Sequence, residues 1–157
     1  MGASAPPEGH RTPGETLTGF LLDTSTVSGA MWKTPHPNVL AMLREHGGEC
    51  AISAQVWHEL QYGVGRLPRG KRRGVLEAFL RDVVLPTLPI LPYDGHAADW
   101  LAQERVRLEK AGRPTPVIDG QIAAVAATNG IPVVTANVAD FAIFKGLAVQ
   151  NWMTGAR

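Results

Sequence analysis

The chain has 157 residues, 45% hydrophobic and 18% charged, and 15 basic side chains nearly balance 14 acidic ones. This length and composition fit one domain with a sizeable core and exclude two large domains. A net charge of only +1 excludes a wholly basic surface for nucleic acid, so any such site must come from local charge. The single cysteine, Cys50, excludes an internal disulfide framework and favours a reducing, cytoplasmic compartment.

Targeting segments are not expected, because no apolar run reaches the roughly 18 residues of a membrane span and the first residues do not resemble a signal peptide. Residues 1–16 are rich in proline and glycine and contain no large apolar side chain beyond Met1. Such a segment buries too little surface to offset its ordering entropy. We therefore predict a flexible tail over 1–16, a folded domain over 17–153 and a short tail over 154–157.

Short apolar runs alternate with amphipathic stretches along the rest of the chain. In chain order they predict a strand at 17–22, a helix from 37 to 47, a strand at 50–52, a helix from 54 to 63, a helix spanning 75–84, a short or edge strand at 88–91, a helix from 95 to 111, a helix over 117–128, a strand at 131–135 and a strand at 147–149. Parallel strands need crossover helices, so this alternation predicts a mostly parallel sheet with helices on both faces. The predicted fold class is a three-layer α/β/α domain.

Four acidic residues are predicted to lie close together at one edge of this sheet. Asp23 follows the first strand within a polar turn, and Asp140 lies in a second polar turn after the fourth predicted strand, at 131–135. Asp119 is in the first turn of the helix over 117–128, and Glu59 is on the helix after the second strand. Ligands of open α/β sheets gather at the carboxyl ends of the strands, which is where these acids are expected.

Each acid also has a purely structural interpretation. Asp23 can form an Asx turn, and an aspartate such as Asp119 is favoured in a first helical turn by the helix dipole. Asn137 and Asp140 resemble a helix-capping pair, and Glu59 can be a solvated helix residue. The functional interpretation therefore depends on the four acids occurring together.

Carboxylates that share a site repel one another and raise one another's pKa unless a cation neutralises them. Oxygen ligands suit a hard divalent ion, so the pattern predicts Mg²⁺, with Mn²⁺ as the alternative. Such a site can bind phosphate and activate water for phosphodiester cleavage. Histidine and cysteine spacings typical of zinc sites are absent from the sequence, as are the G-x-S-x-G, Walker-type and G-x-G-x-x-G motifs.

A basic cluster lies at a predicted loop-to-helix junction. It contains Arg69, Lys71, Arg72 and Arg73, close after Arg66. A solvated helix face, a track for an RNA backbone and a surface for an acidic protein partner are all compatible with this composition.

Four motifs in order resemble those of PIN-domain ribonucleases of the VapC toxin type. They are LLDTS at 21–25, SAQVWHELQYG at 53–63, VIDGQIAAVA at 117–126 and TANVADF at 135–141. The resemblance covers about 17–153, and the GKRRGVLEAFL segment, the following ILPYD and the ending Asn151-Trp152 resemble the FitB-like branch.

The resemblance implies a role for each matching position. Asp23 and Asp119 match the aspartates most often associated with Mg²⁺, Asp140 matches a further metal or water ligand, and Glu59 matches the glutamate that completes the acidic pocket. The matching polar residues Thr135 and Asn137 imply support for the turn that carries Asp140. Two positions depart from the family pattern: Ala136 stands where arginine is common, and Ser25 where asparagine is frequent.

The resemblance further implies a homodimeric toxin that cleaves RNA and is inhibited by a VapB-like antitoxin, which would supply DNA binding for the pair. The apolar residues Trp32, Trp57 and Tyr62 are candidates for the inhibitor groove or the dimer surface, and core packing is the competing interpretation of each. Two other functions stay open, namely a non-catalytic RNA- or protein-binding module of the same fold and a solitary RNA-processing nuclease.

Overall fold

A computed structural model describes residues 19–154 of the chain. The strands are β1 (Phe20–Leu22), β2 (Cys50–Ser53), β3 (Ile90–Leu91), β4 (Val133–Val134) and β5 (Val149–Gln150). The helices are α1 (Thr24–Met31), α2 (Pro37–His46), α3 (Ala54–Gly65), α4 (Lys71–Phe79), α5 (Leu85–Thr87), α6 (Gly95–Lys110), α7 (Val117–Thr128) and α8 (Val138–Ala142). The predicted tail at 1–16, the start of the predicted strand at 17–18 and residues 155–157 lie outside the described residues.

The five strands form one parallel sheet in the order β3-β2-β1-β4-β5. The chain runs from β1 outward to β3 and then returns across the sheet to β4, on the other side of β1. A crevice opens at such a reversal point, outside the carboxyl ends of the two central strands. Leu22 pairs with Val134, so the residues that follow, Asp23 and Thr135, lie side by side at this crevice.

Helices flank the sheet, so the predicted α/β/α fold class is confirmed. The helices α1, α3 and α4 contact one another in series, whereas α6 contacts α7 and α7 contacts α8. Right-handed crossovers place the helices between β1 and β3 on one face and those after β3 on the other. Between the layers lie fully buried side chains such as Leu21, Leu22, Ile52, Ile122 and Val133.

Most long helices fall where hydrophobic periodicity predicts them. The predicted helix over 117–128 has the bounds expected. The spacing of Ala97, Leu101 and Leu108 predicts one inward face on the helix at 95–111, and all three are buried on α6. Ser53 is also predicted from the sequence as the N-cap of the helix at 54–63, and its Oγ does accept a hydrogen bond from the Val56 amide at 3.3 Å. The apolar spacing along 117–128 also predicts an inward position for Ile118, which is wrong, because that side chain is 44% exposed at the start of α7.

The segment after β1 is a helix and not the polar turn that its sequence predicts. Its residues TSTVSGAM show no apolar period, and five of the eight are Ser, Thr or Gly, which are weak helix formers. Tertiary contacts hold α1 in place: Val27 is buried, and the Thr26 hydroxyl donates to the Val134 carbonyl at 2.9 Å. The helix therefore depends on the neighbouring strand β4 and begins directly after Asp23.

The predicted helix over 75–84 is longer and less regular in the structure. Helix α4 begins at Lys71 and passes into a five-residue π-helical segment at Leu80–Val84 before the short α5. The sequence predicts that Val83 and Val84 both face the core, but only Val84 is buried, and Val83 is 46% exposed. The prolines around β3 leave a two-residue strand at the edge of the sheet, as predicted.

The Gly19→Ala variant is expected to lower the free energy of unfolding by about 1–3 kcal/mol, the usual cost of overpacking. A Cβ at this position would lie 2.3 Å from the Glu49 carbonyl oxygen, where β1 enters the sheet beside β2. Gly74→Ala on α4 is the control, because a Cβ there meets no atom within 4 Å. Urea unfolding compares the two, and an equal stability of both variants would contradict the close approach.

Candidate active site

Asp23 lies at the end of β1 and is only 5% exposed. The Thr135 hydroxyl, at the end of β4, donates to Asp23 Oδ2 at 2.8 Å, and the Ser25 hydroxyl donates to the same oxygen at 3.4 Å. Burial raises the pKa of Asp23, while the hydrogen bonds from Thr135, the Thr24 backbone and Ser25 oppose that rise. The carboxylate is thus desolvated, and two hydroxyl groups hold its Oδ2 oxygen.

Two hydroxyl groups tie the segment after β4 to Asp23. Thr135 Oγ1 accepts a hydrogen bond from the Asn137 amide at 3.0 Å, and Ser25 Oγ accepts one from the Ala136 amide at 3.0 Å. The position of Thr135 was predicted, but Ser25 was not among the predicted site residues. Its signal in the sequence is a hydroxyl two residues after an aspartate at a strand end.

Glu59 is half-buried on α3 and is fixed from across the crevice. The Thr24 hydroxyl, at the first residue of α1, donates a short hydrogen bond to Glu59 Oε2. This bond connects α1, which begins directly after Asp23, with α3, which follows β2. Thr24 is a second contributor to the site that the sequence pattern did not single out.

Asp119 completes the acidic pocket from the first turn of α7. Burial is the main cause that raises its pKa, and the negative charges of Asp23, Asp140 and Glu59 raise it further, in that order. The negative charge of Glu59 also raises the pKa of Asp23. Asp119 therefore lies within electrostatic reach of the other three predicted acids.

Asp140 and Asn137 are exposed at the rim of this pocket. The predicted polar turn around them contains a short helix, α8, and the Asp140 amide donates to the Asn137 carbonyl at 3.1 Å. Asn137 occupies the N-cap position, but its side chain makes no capping hydrogen bond. The interpretation of Asn137 and Asp140 as a side-chain capping pair is therefore wrong.

The four acids do not form a preformed metal-binding site. Within residues 19–154, no three His, Cys, Asp or Glu side chains are grouped closely enough to be such a site. Cys50 takes no part in the pocket, since it is buried in the core and donates to the His46 carbonyl at 3.2 Å. Burial raises the pKa of Cys50 to about 12, which keeps the thiol protonated and unreactive.

The predicted RNA-contacting residues occupy different environments at the start of α4. Arg69 and Lys71 are exposed, and Arg72 donates to the Met31 carbonyl at 2.9 Å. Arg73 pairs with Glu77 at 2.6 Å and also donates to the Leu67 carbonyl, so it holds the loop before α4. Of the four, Arg73 has the clearest structural role, and contact of any of them with RNA stays a prediction.

The fold and the site together define a class: a parallel α/β protein with an acidic pocket at the point where its sheet reverses direction. None of the helices within residues 19–154 is long and apolar enough to cross a membrane.

Comparison with known proteins agrees with this class. The family model for the PIN domain matches residues 20–145. The chain is 34% identical to VapC ribonuclease Y4jK of Sinorhizobium fredii, over 84% of this chain and 96% of that protein. It is also 34% identical to toxin FitB of Neisseria gonorrhoeae, over 78% of this chain and 90% of that one.

A solved structure, FitAB bound to an IR36 DNA fragment, superimposes with a TM-score of 0.80 at 30% identity, over 88% of this chain and 98% of the matched chain. The chain therefore belongs to the PIN domain family, and the predicted resemblance to its VapC toxins and the FitB-like branch is confirmed.

Proposed function

We propose that this protein is a Mg²⁺-dependent endoribonuclease and the toxin of a type II, VapBC-like toxin–antitoxin pair. The observation that carries the proposal is the buried Asp23 carboxylate with three further acids around it, at the reversal point of a PIN-domain sheet. The relatives named as a VapC ribonuclease and toxin FitB support the same activity.

The residues present fit a hard divalent ion. All four acids offer carboxylate oxygens, and the pKa values of Asp23 and Asp119 are raised, which is what a cation would relieve. Mg²⁺ commonly binds through one or two carboxylates and keeps several waters, so a loose pocket suits it better than a closed cage. We assign Asp23, Asp119 and Asp140 as its ligands in this chain, with Mn²⁺ as an alternative ion.

When bound, the ion would supply a Lewis acid that binds the scissile phosphate and activates water for attack. The chain itself would position the reactants. Thr135 and Ser25 fix Asp23 through Oδ2, and Thr24 fixes Glu59 through Oε2. Glu59 Oε1 accepts no hydrogen bond among the described residues, so we assign it as the acceptor of a proton from the attacking water.

The proposed partners follow from the relatives. Because FitAB was solved on DNA, we propose that a VapB-like antitoxin binds this chain and contacts DNA, so that the toxin reaches DNA only indirectly. We propose a homodimer as the toxin's own assembly and RNA as its substrate. A short neighbouring reading frame with a DNA-binding N-terminus would support this arrangement.

The purified protein is expected to cut single-stranded RNA and structured tRNA in Mg²⁺, to lose this activity in excess EDTA and to regain it when Mg²⁺ or Mn²⁺ is restored. The expected loss is at least about 100-fold, since a catalytic metal contributes several kcal/mol of transition-state stabilisation. Cleavage is measured on end-labelled RNA, and growth arrest on induced expression is the matching measurement in cells.

Two results would contradict the proposal. Cleavage that is unchanged in EDTA would exclude the metal-dependent mechanism. Stoichiometric RNA binding with no cleavage in either Mg²⁺ or Mn²⁺ would instead identify a non-catalytic RNA-binding module.

A further inference from the structure

A cleft of about 270 Å³ opens beside Glu59, between α1, α3 and α4. Thr24 and Glu59 form its end nearest the acidic pocket, and Met31, Leu67 and Leu76 are among its apolar walls. The cleft is therefore continuous with the site at which we propose that the phosphate backbone is cut.

Trp32 lines this cleft and is unusually exposed for its size. Its side chain is 48% exposed, although His36 packs against the indole with ring centroids 6.1 Å apart and an angle of 65° between the planes. The exposed half of the indole is apolar surface in contact with water. A ligand that stacks on the ring would bury this surface, which is favourable by the hydrophobic effect.

Arg72 supplies a cation to the same cleft. Its guanidinium donates to the Met31 carbonyl at 2.9 Å, which holds it next to the residue that precedes Trp32. Arg69 and Lys71 are exposed nearby in sequence. The cleft thus combines an acid next to the catalytic pocket, an exposed aromatic ring and a cation, which are the kinds of group that bind single-stranded nucleic acid.

We infer that the cleft binds one unpaired nucleobase of the RNA substrate, stacked on Trp32, with Arg72 beside the adjoining phosphate. The inference rests on the proposed ribonuclease function, because the occupant has to be continuous with the backbone at the acidic pocket. The volume lies just below the range of drug-sized ligand sites, which suits a single ring system. Trp32 is then a substrate-positioning residue that acts outside the metal site.

The test compares Trp32→Ala and Trp32→Phe with the control Tyr62→Ala. Tyr62 is 62% exposed on α3 and does not line the cleft, so its removal controls for the loss of an exposed aromatic side chain. Steady-state cleavage of a single-stranded RNA is expected to show a KM raised about 5- to 100-fold in Trp32→Ala, the usual effect of losing one stacked base. Trp32→Phe is expected to recover part of this loss.

A binding measurement separates stacking from folding and charge. In a common Asp119→Asn background, in which cleavage is expected to be at least about 100-fold slower, fluorescence anisotropy compares an oligoribonucleotide with an abasic oligoribose phosphate of equal length. Trp32→Ala is expected to weaken binding of the base-bearing strand about 5- to 100-fold and to leave abasic binding unchanged. Circular dichroism verifies that each variant is folded.

Several results would overturn the inference while leaving the ribonuclease proposal intact. Equally weakened binding of the base-bearing and abasic strands would contradict stacking of a base on Trp32. Equal effects of Trp32→Ala and Tyr62→Ala would contradict it as well. RNA cleavage and binding unchanged by Trp32→Ala, with inhibition by a co-expressed antitoxin lost, would make the cleft a protein-binding site. Absence of RNA cleavage by the unmodified chain would instead overturn the proposed function itself.

Discussion

Asp23→Asn and Asp119→Asn are each expected to reduce RNA cleavage by at least about 100-fold while raising the thermal stability of the metal-free protein. The loss of activity follows from removing a proposed ligand, since a bound metal contributes several kcal/mol to such reactions. The gain in stability follows from removing a charge that is desolvated at Asp23 and repelled by three other acids at Asp119. The two carboxylates thus destabilise the metal-free folded state, although RNA cleavage is expected to depend on them.

The pH dependence of stability has a definite sign in the absence of divalent ions. The pKa values of Asp23 and Asp119 are raised in the folded chain, so the folded state holds more protons than the unfolded state once the pH exceeds their ordinary values. Their contribution to stability is therefore lost as the pH rises from about 4 through the raised pKa values. The double variant Asp23→Asn/Asp119→Asn is expected to show a smaller decline over this window.

Scanning calorimetry in EDTA and again in Mg²⁺ checks both expectations. Without metal, each variant is expected to melt roughly 3 °C higher than the unmodified chain. Added Mg²⁺ is expected to raise the melting temperature of the unmodified chain and to affect the variants less, because an ion that binds only the folded state stabilises it by mass action.

Asp99→Asn on α6 provides the matched control, since Asp99 is an exposed carboxylate outside the pocket. It is expected to change neither cleavage nor the response to Mg²⁺. Full cleavage by Asp23→Asn and Asp119→Asn would contradict the assignment of these residues as metal ligands. Lower melting temperatures of both variants in EDTA would contradict the electrostatic account of the empty pocket.

The position of the pocket could be predicted from the sequence because it follows from strand order. Asp23 closes a short apolar run, and the rule that ligands gather at the carboxyl ends of parallel strands needs no knowledge of side-chain contacts. Asp119 was located equally well, because the apolar period of α7 fixes both ends of that helix.

What could not be predicted depends on contacts between distant segments. Helix α1 has no periodic pattern of its own and depends on contacts such as the Thr26 hydrogen bond to β4. Ser25 and Thr24 become part of the site only because that helix turns their hydroxyls towards Thr135 and Glu59. Glu104 is a comparable case on α6, where nothing in the local pattern distinguishes it from the other charged residues.

Glu104→Ala is expected to lower the free energy of unfolding by about 1–3 kcal/mol, the usual cost of leaving a buried hydrogen-bonding group without its partner. Glu104 is 7% exposed and pairs with Arg107 at 2.5 Å. Its Oε1 also accepts a hydrogen bond from the Lys145 amide at 2.6 Å, and Arg107 donates to the Ile143 carbonyl at 2.8 Å. These hydrogen bonds therefore connect α6 with the segment between α8 and β5.

Glu109→Ala is the matched control on the same helix. Glu109 pairs with Arg105 at 3.7 Å with its side chain 63% exposed, and such surface pairs contribute at most about 1 kcal/mol. Glu104→Gln, which keeps an acceptor for the Lys145 amide but loses the charge, is expected to fall between the two. Urea unfolding with unchanged m-values measures the series.

The bonds of Glu104 and Arg107 also concern the active site, because the segment that they hold directly follows α8. Ile143 directly follows α8, which carries Asp140 at the rim of the pocket. Freeing that segment is expected to increase amide hydrogen exchange over 138–145 in Glu104→Ala more than over α3, which has no contact with Glu104 through these bonds. Equal stability of Glu104→Ala and Glu109→Ala would mean that the buried Glu104 carboxylate contributes no more than a solvated one, and Asp140 would then be positioned by α8 alone.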